Sequence, residues 1–281
     1  MLKEKIGSDE QYKYWNESVS YWLKYDNEIN KKFNNITQTL FSNLSFSNAK
    51  YILDVGCGSG YTTKIISDKI KGFGSVLGMD LSAPMLALLN KKYKSIKNIS
   101  TIHSDVQNYK FKEKSFDIVI SRFGLMFFAN PQLAFINLNK SIKKGGILSF
   151  VCWTDYQYND FFSIPVKVLS SVTGLKKNRL TRNPGPFAFS NKNYIYKILQ
   201  NSNFKKIKIK TIKTKLIAEN ITKDLNIFMK IGIASKMMRE NNINKITKKK
   251  IKLKLNNYLI NNIYNNAGSY KAKVFLVRAI K

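Results

Sequence analysis

The chain has 281 residues, 44% of them hydrophobic, enough for one large domain with a complete core. It contains no apolar run approaching the ~18 residues of a membrane span, and residues 1–10 lack the apolar segment of a signal peptide. Two cysteines, Cys57 and Cys152, and a single histidine exclude a disulfide framework and a clustered metal site, and they predict a reducing, cytoplasmic setting. The net charge of +31 comes almost wholly from lysine, 43 of 48 basic residues, scattered along the chain and not gathered in one stripe. Arginine, the better reader of phosphates and bases, is scarce. Solvated lysine faces account for such a charge, and a functional anionic partner stays open as the alternative.

In chain order, residues 1–45 read as helical and aromatic, with Tyr12, Tyr14, Trp15, Tyr21, Trp22 and Tyr25 crowded together. They predict a helical cap packed on the next domain, or a lid whose ring faces favour a cationic ligand. From 46 the chain becomes a strand-and-helix alternation, the pattern of a parallel sheet with helices on both faces. Its first strand runs into Tyr51-Ile-Leu-Asp-Val-Gly-Cys-Gly-Ser-Gly60, a buried strand ending in three alternate glycines. A dinucleotide fold needs G-x-G-x-x-G and a P-loop needs Gly-Lys-Ser/Thr; this chain has D-x-G-x-G-x-G, from Asp54 to Gly60. A carboxylate at the strand end suits a ligand carrying an ammonium group, whose own carboxylate would meet the helix N-terminus. S-Adenosylmethionine has both groups.

The second strand, Ser75-Val-Leu-Gly-Met-Asp80, ends in another acid 20 residues beyond Gly60, where a carboxylate binds a ribose diol. Ser82 then caps a helix with Pro84 in its first turn and Met85, Leu88 and Leu89 as its buried stripe. The third strand, Ile99 to Asp105, ends in a third acid, so Asp54, Asp80 and Asp105 line up along the carboxyl edge where open α/β sheets bind ligands. The fourth, Phe116 to Ile120, leads into Ser121-Arg-Phe-Gly-Leu-Met-Phe-Phe128, too apolar for an exposed loop and placed to line a pocket. Asn130-Pro131 opens a helix that Lys143-Lys-Gly-Gly146 closes, and Ile147 to Trp153 forms the fifth strand.

Asp54-Val-Gly-Cys-Gly-Ser-Gly60, Gly78-Met-Asp-Leu-Ser-Ala-Pro-Met-Leu86, Asp105-Val-Gln107, Phe116-Asp-Ile-Val-Ile120 and Lys144-Gly-Gly146 resemble the class I S-adenosylmethionine-dependent methyltransferases. Within them the chain looks most like the small-molecule branch that includes the ubiquinone/menaquinone C-methyltransferases. Ser121 to Phe128, with Gly185-Pro-Phe-Ala-Phe189, resembles a bacterial subgroup of that branch. The resemblance covers about residues 50–153. It implies a Rossmann-like, mostly parallel sheet of seven strands, the last antiparallel. It further implies that Asp54, Gly56, Cys57, Gly58 and Gly60 hold the methionine end of the cofactor. Asp80 would hold the ribose and Asp105-Val106 the adenine, with Leu81, Met85, Gln107 and Ser121 as further cofactor-binding residues.

Beyond Trp153 specificity is expected. Residues 154–270 read as a substrate wall with helical additions and 271–281 as the closing strand, completing a domain of 46–281 whose cofactor-binding core is 46–153. Phe204 to Leu216 alternates lysine with apolar residues, the signature of a half-exposed strand. Residues 221–239 and 243–263 read as helices, and Lys245 to Lys254 is the densest basic run, a solvated face or a contact with anionic lipid or nucleic acid.

Methyl transfer from a sulfonium is an in-line displacement, so alignment is the main task, with a general base where the acceptor needs one. Candidate bases are Tyr12, Tyr14, His103 and Asp155; Tyr12, Trp15, Arg122, Phe123 and Phe187 are candidate acceptor contacts. Arg122 has two readings, an acceptor anion or an ion pair with Asp117. The D/N-P-P-Y/F loop and Pro-Cys nucleophile of nucleic-acid methyltransferases are both missing, which argues against a nucleic-acid substrate despite the charge. The leading expectation is a cytoplasmic methyltransferase acting on an O, N or C nucleophile of a small organic acceptor. The competing ones are a quinone or lipid acceptor at an anionic membrane surface, and a non-catalytic cofactor-binding module.

Overall fold

In the chain, β-branched and aliphatic runs become seven strands of one sheet, and the amphipathic segments between them become helices packed around it. The structure is a computed structural model and describes residues 11, 13, 15, 19–176, 184–265 and 268–281. The strands are β1 (Tyr51–Val55), β2 (Ser75–Asp80), β3 (Ile99–His103), β4 (Phe116–Arg122), β5 (Ile142–Trp153), β6 (Lys205–Ile217) and β7 (Ser269–Ile280). Their order is β3-β2-β1-β4-β5-β7-β6. β1 to β5 run parallel, and β7 is antiparallel to both of its neighbours. β1 is central, so both its faces are covered; Ile52, Leu53, Asp54 and Val55 are all buried. β6 lies at the sheet edge, its lysines in solvent and Ile207, Ile209 and Ile212 packed against the core.

The helices are α1 (Asp26–Lys32), α2 (Asn34–Phe41), α3 (Tyr61–Lys69), α4 (Ala83–Tyr93), α5 (Pro131–Ser141), α6 (Asp160–Thr173), α7 (Lys192–Asn201), α8 (Ile221–Lys230), α9 (Ile233–Glu240) and α10 (Lys245–Leu259). Asparagine sets several starts: the side chains of Asn130, Asn191, Asn220 and Asn244 each accept the N–H three residues on, which satisfies an otherwise orphaned donor. Several expected boundaries move: β3 stops at His103, short of Asp105, β4 runs on to Arg122, and two helix ends shift. α5 ends at Ser141, and Ile142 already pairs with Phe116, so Lys143 to Gly146 belongs to β5 and not to a helix stop. The helix expected over 221–239 breaks at Ile231-Gly232, where the backbone turns out to border the pocket described below.

α1 and α2 are tied to the far end of the chain. Lys32 is buried against Asp224 of α8, with Nζ 2.7 Å from Oδ1, and Nζ also donates to the Ile217 carbonyl at 2.6 Å. The other Asp224 oxygen accepts from Tyr264 at 2.8 Å and Tyr270 at 2.6 Å. Among the described residues, no helix is long and apolar enough to cross a membrane.

Candidate active site

The carboxyl ends of β1, β2 and β4 meet in a tight seam. The Gly56 N–H donates to the Met79 carbonyl at 2.8 Å, hooking the glycine loop over β2. Ser121 Oγ donates to the Val55 carbonyl at 2.7 Å and accepts the Gly124 N–H at 3.2 Å, joining β4 to β1. Gly56 (φ +66°) and Gly124 pass so closely that a Cβ on Gly124 would lie 2.6 Å from the Val55 oxygen and 2.8 Å from Gly56 Cα. Only two residues without side chains allow that approach. The three acids expected at this edge do fall at or just past the carboxyl ends of adjacent strands, but they are held differently.

Asp80 faces a deep pocket. Its Oδ2 accepts from Gly58 N and its Oδ1 from Ser82 N, both at 2.8 Å, and burial raises its pKa. Each carboxylate oxygen still has a lone pair for a further donor. Asp105, two residues past β3, also lines the pocket. Gln107 does not line it; its N–H and Nε2 each donate to an Asp105 oxygen at 2.8 Å, and its Oε1 accepts from Asn130 N at 2.6 Å. Gln107 therefore positions Asp105. Asp54 is buried with its carboxylate turned toward α3, where Oδ2 accepts from Thr62 at 2.6 Å and Thr63 at 2.7 Å. Burial raises its pKa to about 6. Asp54 thus braces the start of α3 and does not line the pocket. Gly60 (φ +86°) stands outside it too, as the residue preceding α3.

Above this floor is an aromatic chamber. Phe123 stacks on Trp153 at 4.3 Å and 7°. Phe33 of the helical cap meets Phe123, Trp153 and Phe161 edge to face, at centroid distances of 5.7, 5.6 and 5.3 Å. Trp15 packs edge-on to Phe127 at 4.9 Å. The cap reaches the glycine loop through Asp26, which accepts from Ser59 Oγ and pairs with Lys92. Leu81, Met85, Val106, Cys57 and Gly58 also line the pocket, as do Phe162, Ile231 and Gly232.

Arg122 points into the same chamber. Nη1 donates to Thr37 at 2.9 Å and Nη2 to Asn30, and the guanidinium lies 5.2 Å from the Tyr61 ring centroid. Among the described residues no carboxylate forms an ion pair with it, and burial lowers its pKa to about 10. The expected alternative, Asp117, is taken: Lys143 pairs with it at 2.7 Å, and the Lys50 and Tyr51 N–H groups donate to it at 2.9 Å.

The candidate bases fare poorly. His103 is exposed, with Nε2 2.9 Å from the Leu81 carbonyl, and is not part of the pocket wall. Asp155 accepts the Gln157 N–H at 3.1 Å and caps a short turn, also off the pocket. Tyr12 and Tyr14 lie outside the described residues. Phe187 is buried behind the chamber, edge-on to Phe162 at 4.9 Å. Sequence reasoning placed Phe161 and Phe162 within the expected substrate wall, but it missed Asp26 and Asn30 of α1, Phe33 just after it, and Gly124 as the partner of Gly56. Only Gly124, immediately after Ser-Arg-Phe, carried a local signal.

The pocket suits S-adenosylmethionine by its donor set. Two carboxylates accept hydroxyl and amine donors, aromatic faces favour a sulfonium, and Ser82 Oγ, buried on the pocket wall, lacks a protein partner. Comparison with known proteins agrees. Residues 53–150 match the family profile described as a methyltransferase domain. The demethylmenaquinone methyltransferase of Staphylococcus haemolyticus is 29% identical over 169 residues, covering 57% of this chain and 70% of that one. That of Staphylococcus aureus strain MRSA252 is 34% identical over 96 residues, 34% of this chain and 40% of its own. The phosphoethanolamine N-methyltransferase 2 of Haemonchus contortus, solved with S-adenosyl-L-methionine, shares the fold with a TM-score of 0.52 at 16% identity, over 88% of this chain and 52% of that one. A Bacillus halodurans protein classed provisionally as a methyltransferase gives 0.55 at 17%, over 88% and 99%. Residues 53–150 are thus a methyltransferase domain, and the chain is an S-adenosylmethionine-dependent methyltransferase that shares the class I fold and is similar in sequence to the demethylmenaquinone methyltransferases.

Proposed function

We propose that the acceptor is a flat, largely apolar molecule of the quinone type, methylated in the cytoplasm. The observation that carries this reading is the chamber of Phe33, Phe123, Trp153, Phe161 and Phe162, a ring-lined apolar wall of the same pocket that Gly56 and Gly58 line. The names of the demethylmenaquinone methyltransferases among its relatives support the same class. When bound, the cofactor supplies an electrophilic methyl group on a sulfonium. The residues of the chain then bind and align: Asp80 and Asp105 take the nucleoside end, the Gly56–Gly58 loop the amino-acid end, and the aromatic walls exclude water and hold the acceptor in line. Residues 1–45 serve as a cap over this site, 46–153 as the cofactor-binding core, 154–270 as the acceptor wall and 271–281 as the closing strand.

A second reading, an acceptor with an anionic group, is favoured by Arg122, a chamber cation that makes no ion pair with a carboxylate of the described residues, Asp54 acting on it only from a distance. Turnover with a reduced demethylated naphthoquinone, set against a panel of aromatic carboxylates, phenols and amines and read as product mass, tests both. Methylation of the naphthoquinol supports the first reading. Methylation confined to the carboxylates replaces it with the second, and cofactor binding with no product on either set removes both.

A further inference from the structure

Among the described residues, seven large hydrophobic side chains are exposed; four are aromatic and stand apart on different elements. The remaining three are aliphatic, and all belong to one helical run: Ile246 at 70% exposure, Leu253 at 64% and Ile260 at 38%. They are spaced by seven residues, just under two turns of helix, so they form a single line along α10 and into the π-helical turn Ile260–Tyr264 that continues it. The helix already has a core face. Ile251, Leu255 and Leu259 are buried, where α10 packs on α6 and α8. On a helical wheel the Ile246–Leu253–Ile260 line falls directly opposite. Lys249 and Lys250 flank that line on either side, with Lys245, Lys252 and Lys254 further round, and all five are exposed. No acidic residue occurs after Glu240 in the whole chain, so nothing on this helix neutralises them.

We infer that this outer face of α10 is a docking surface for an anionic lipid membrane, on which the protein lies with Ile246, Leu253 and Ile260 in the interface and the flanking lysines on the headgroups. The charge pattern selects that occupant. Lysines beside an aliphatic ridge combine headgroup attraction with insertion into the acyl boundary, as interfacial helices do. Nucleic acid matches the charge but leaves the ridge without use. A second copy docking face to face matches the ridge but sets lysine against lysine. α10 packs on the outside of α6, the helix that carries Phe161 and Phe162 of the chamber wall, so docking brings the acceptor chamber near the bilayer. The inference does not depend on the identity of the acceptor, because membrane binding is read without cofactor or turnover.

The test is co-sedimentation of the full chain with vesicles of phosphatidylglycerol and phosphatidylcholine, against vesicles of phosphatidylcholine alone, for the parent and an Ile246→Ser/Leu253→Ser variant. Both replaced side chains are exposed, so the thermal midpoint is expected to stay at the parent value, and that is the control for folding. The parent should bind the anionic vesicles, weaken in high salt and leave the neutral ones. The variant should lose at least about tenfold in partitioning, the scale expected for removing two inserted aliphatic groups. A Lys249→Gln/Lys250→Gln variant should bind anionic vesicles more weakly than the parent and with less salt sensitivity. Equal partitioning of parent and serine variant overturns the proposal, as does failure of the parent to bind. Tighter binding to duplex DNA than to vesicles, unchanged by the serine substitutions, assigns the face to nucleic acid instead. A dimer in the parent that the serine variant loses, without vesicle binding, assigns it to self-association.

Discussion

Lys32 of α1 and Asp224 of α8 form a buried ion pair, 2.7 Å from Nζ to Oδ1, inside a ring of Tyr264, Tyr270 and the Ile217 carbonyl. The Lys32 ammonium also lies 4.8 Å from the Tyr270 ring centroid. This cluster clasps the helical cap to the C-terminal additions, so both walls of the chamber depend on it. Burial pushes the Lys32 pKa down while Asp224 opposes the shift, and burial and the nearby carboxylate raise the Tyr264 and Tyr270 hydroxyls above their usual range.

Removing one partner of such a pair strands the other charge. Asp224→Leu is expected to destabilise the protein by about 3 kcal/mol, and the double change Lys32→Met/Asp224→Leu by less than the single one. Urea unfolding of the parent, the Lys32→Met and Asp224→Leu singles and the double checks this. A double variant as unstable as the sum of two costly singles would mean that the pair acts as two independent contacts.

Asp80 faces the pocket with lone pairs to spare. S-Adenosylhomocysteine should raise the thermal midpoint of the parent, corresponding to about 2.7 kcal/mol at a hundredfold excess over its dissociation constant. Asp80→Ala should remove that shift while remaining folded. A full shift in the variant would remove Asp80 from the ligand contacts.

Gly124 has no room for a side chain, because an added Cβ would lie 2.6 Å from the Val55 oxygen. The neighbour is backbone and cannot rotate away. Gly124→Ala should therefore cost about 1–3 kcal/mol of stability and splay the glycine loop from β4, weakening cofactor binding as well. Denaturant unfolding and the ligand-induced thermal shift, measured together, separate the two effects; a variant indistinguishable in both would show that the seam gives way freely.

His103 and Arg122 make a paired comparison. His103 is exposed and satisfied by the Leu81 carbonyl, so His103→Ala should leave kcat within about twofold, apart from small stability effects. Arg122 faces the chamber, and Arg122→Met should lower kcat/KM by roughly tenfold to a hundredfold, the usual worth of a hydrogen bond to a charged group. Steady-state kinetics on any accepted substrate decides it, and the reverse ranking would restore His103 as a base.

The Asp54 carboxyl titrates at about 6 in the folded chain, raised by burial from 3.8. The folded state therefore holds its proton over a range where the unfolded state has released it. The contribution of Asp54 is greatest below about pH 4 and falls as pH rises through about 6, by about 3 kcal/mol in all. Asp54→Asn lacks this slope. The stability of the parent relative to the variant should decline between pH 4 and pH 7 in urea unfolding; a constant difference would mean that Asp54 is ionised throughout.

Local order was written in the sequence. The run into Gly56, Gly58 and Gly60, the acids ending at Asp80 and Asp105, the asparagine caps and the lysine-alternating β6 are all set by short-range patterns, because strand period, turn conformation and capping involve residues a few positions apart. Tertiary structure decided where side chains at those positions point and what surrounds them. Asp54 shares the motif with the glycines, yet its strand face is the one that α3 covers, so Thr62 and Thr63 claim it. His103 ends a strand at the ligand edge, yet its ring bonds to the Leu81 carbonyl outside the pocket. The chamber draws Phe33, Phe123, Trp153 and Phe161 from four separate segments, and no window of sequence contains that meeting. The ridge on α10 likewise exists only once Ile251, Leu255 and Leu259 have taken the core side, because which apolar stripe is buried depends on the surface that α6 and α8 present.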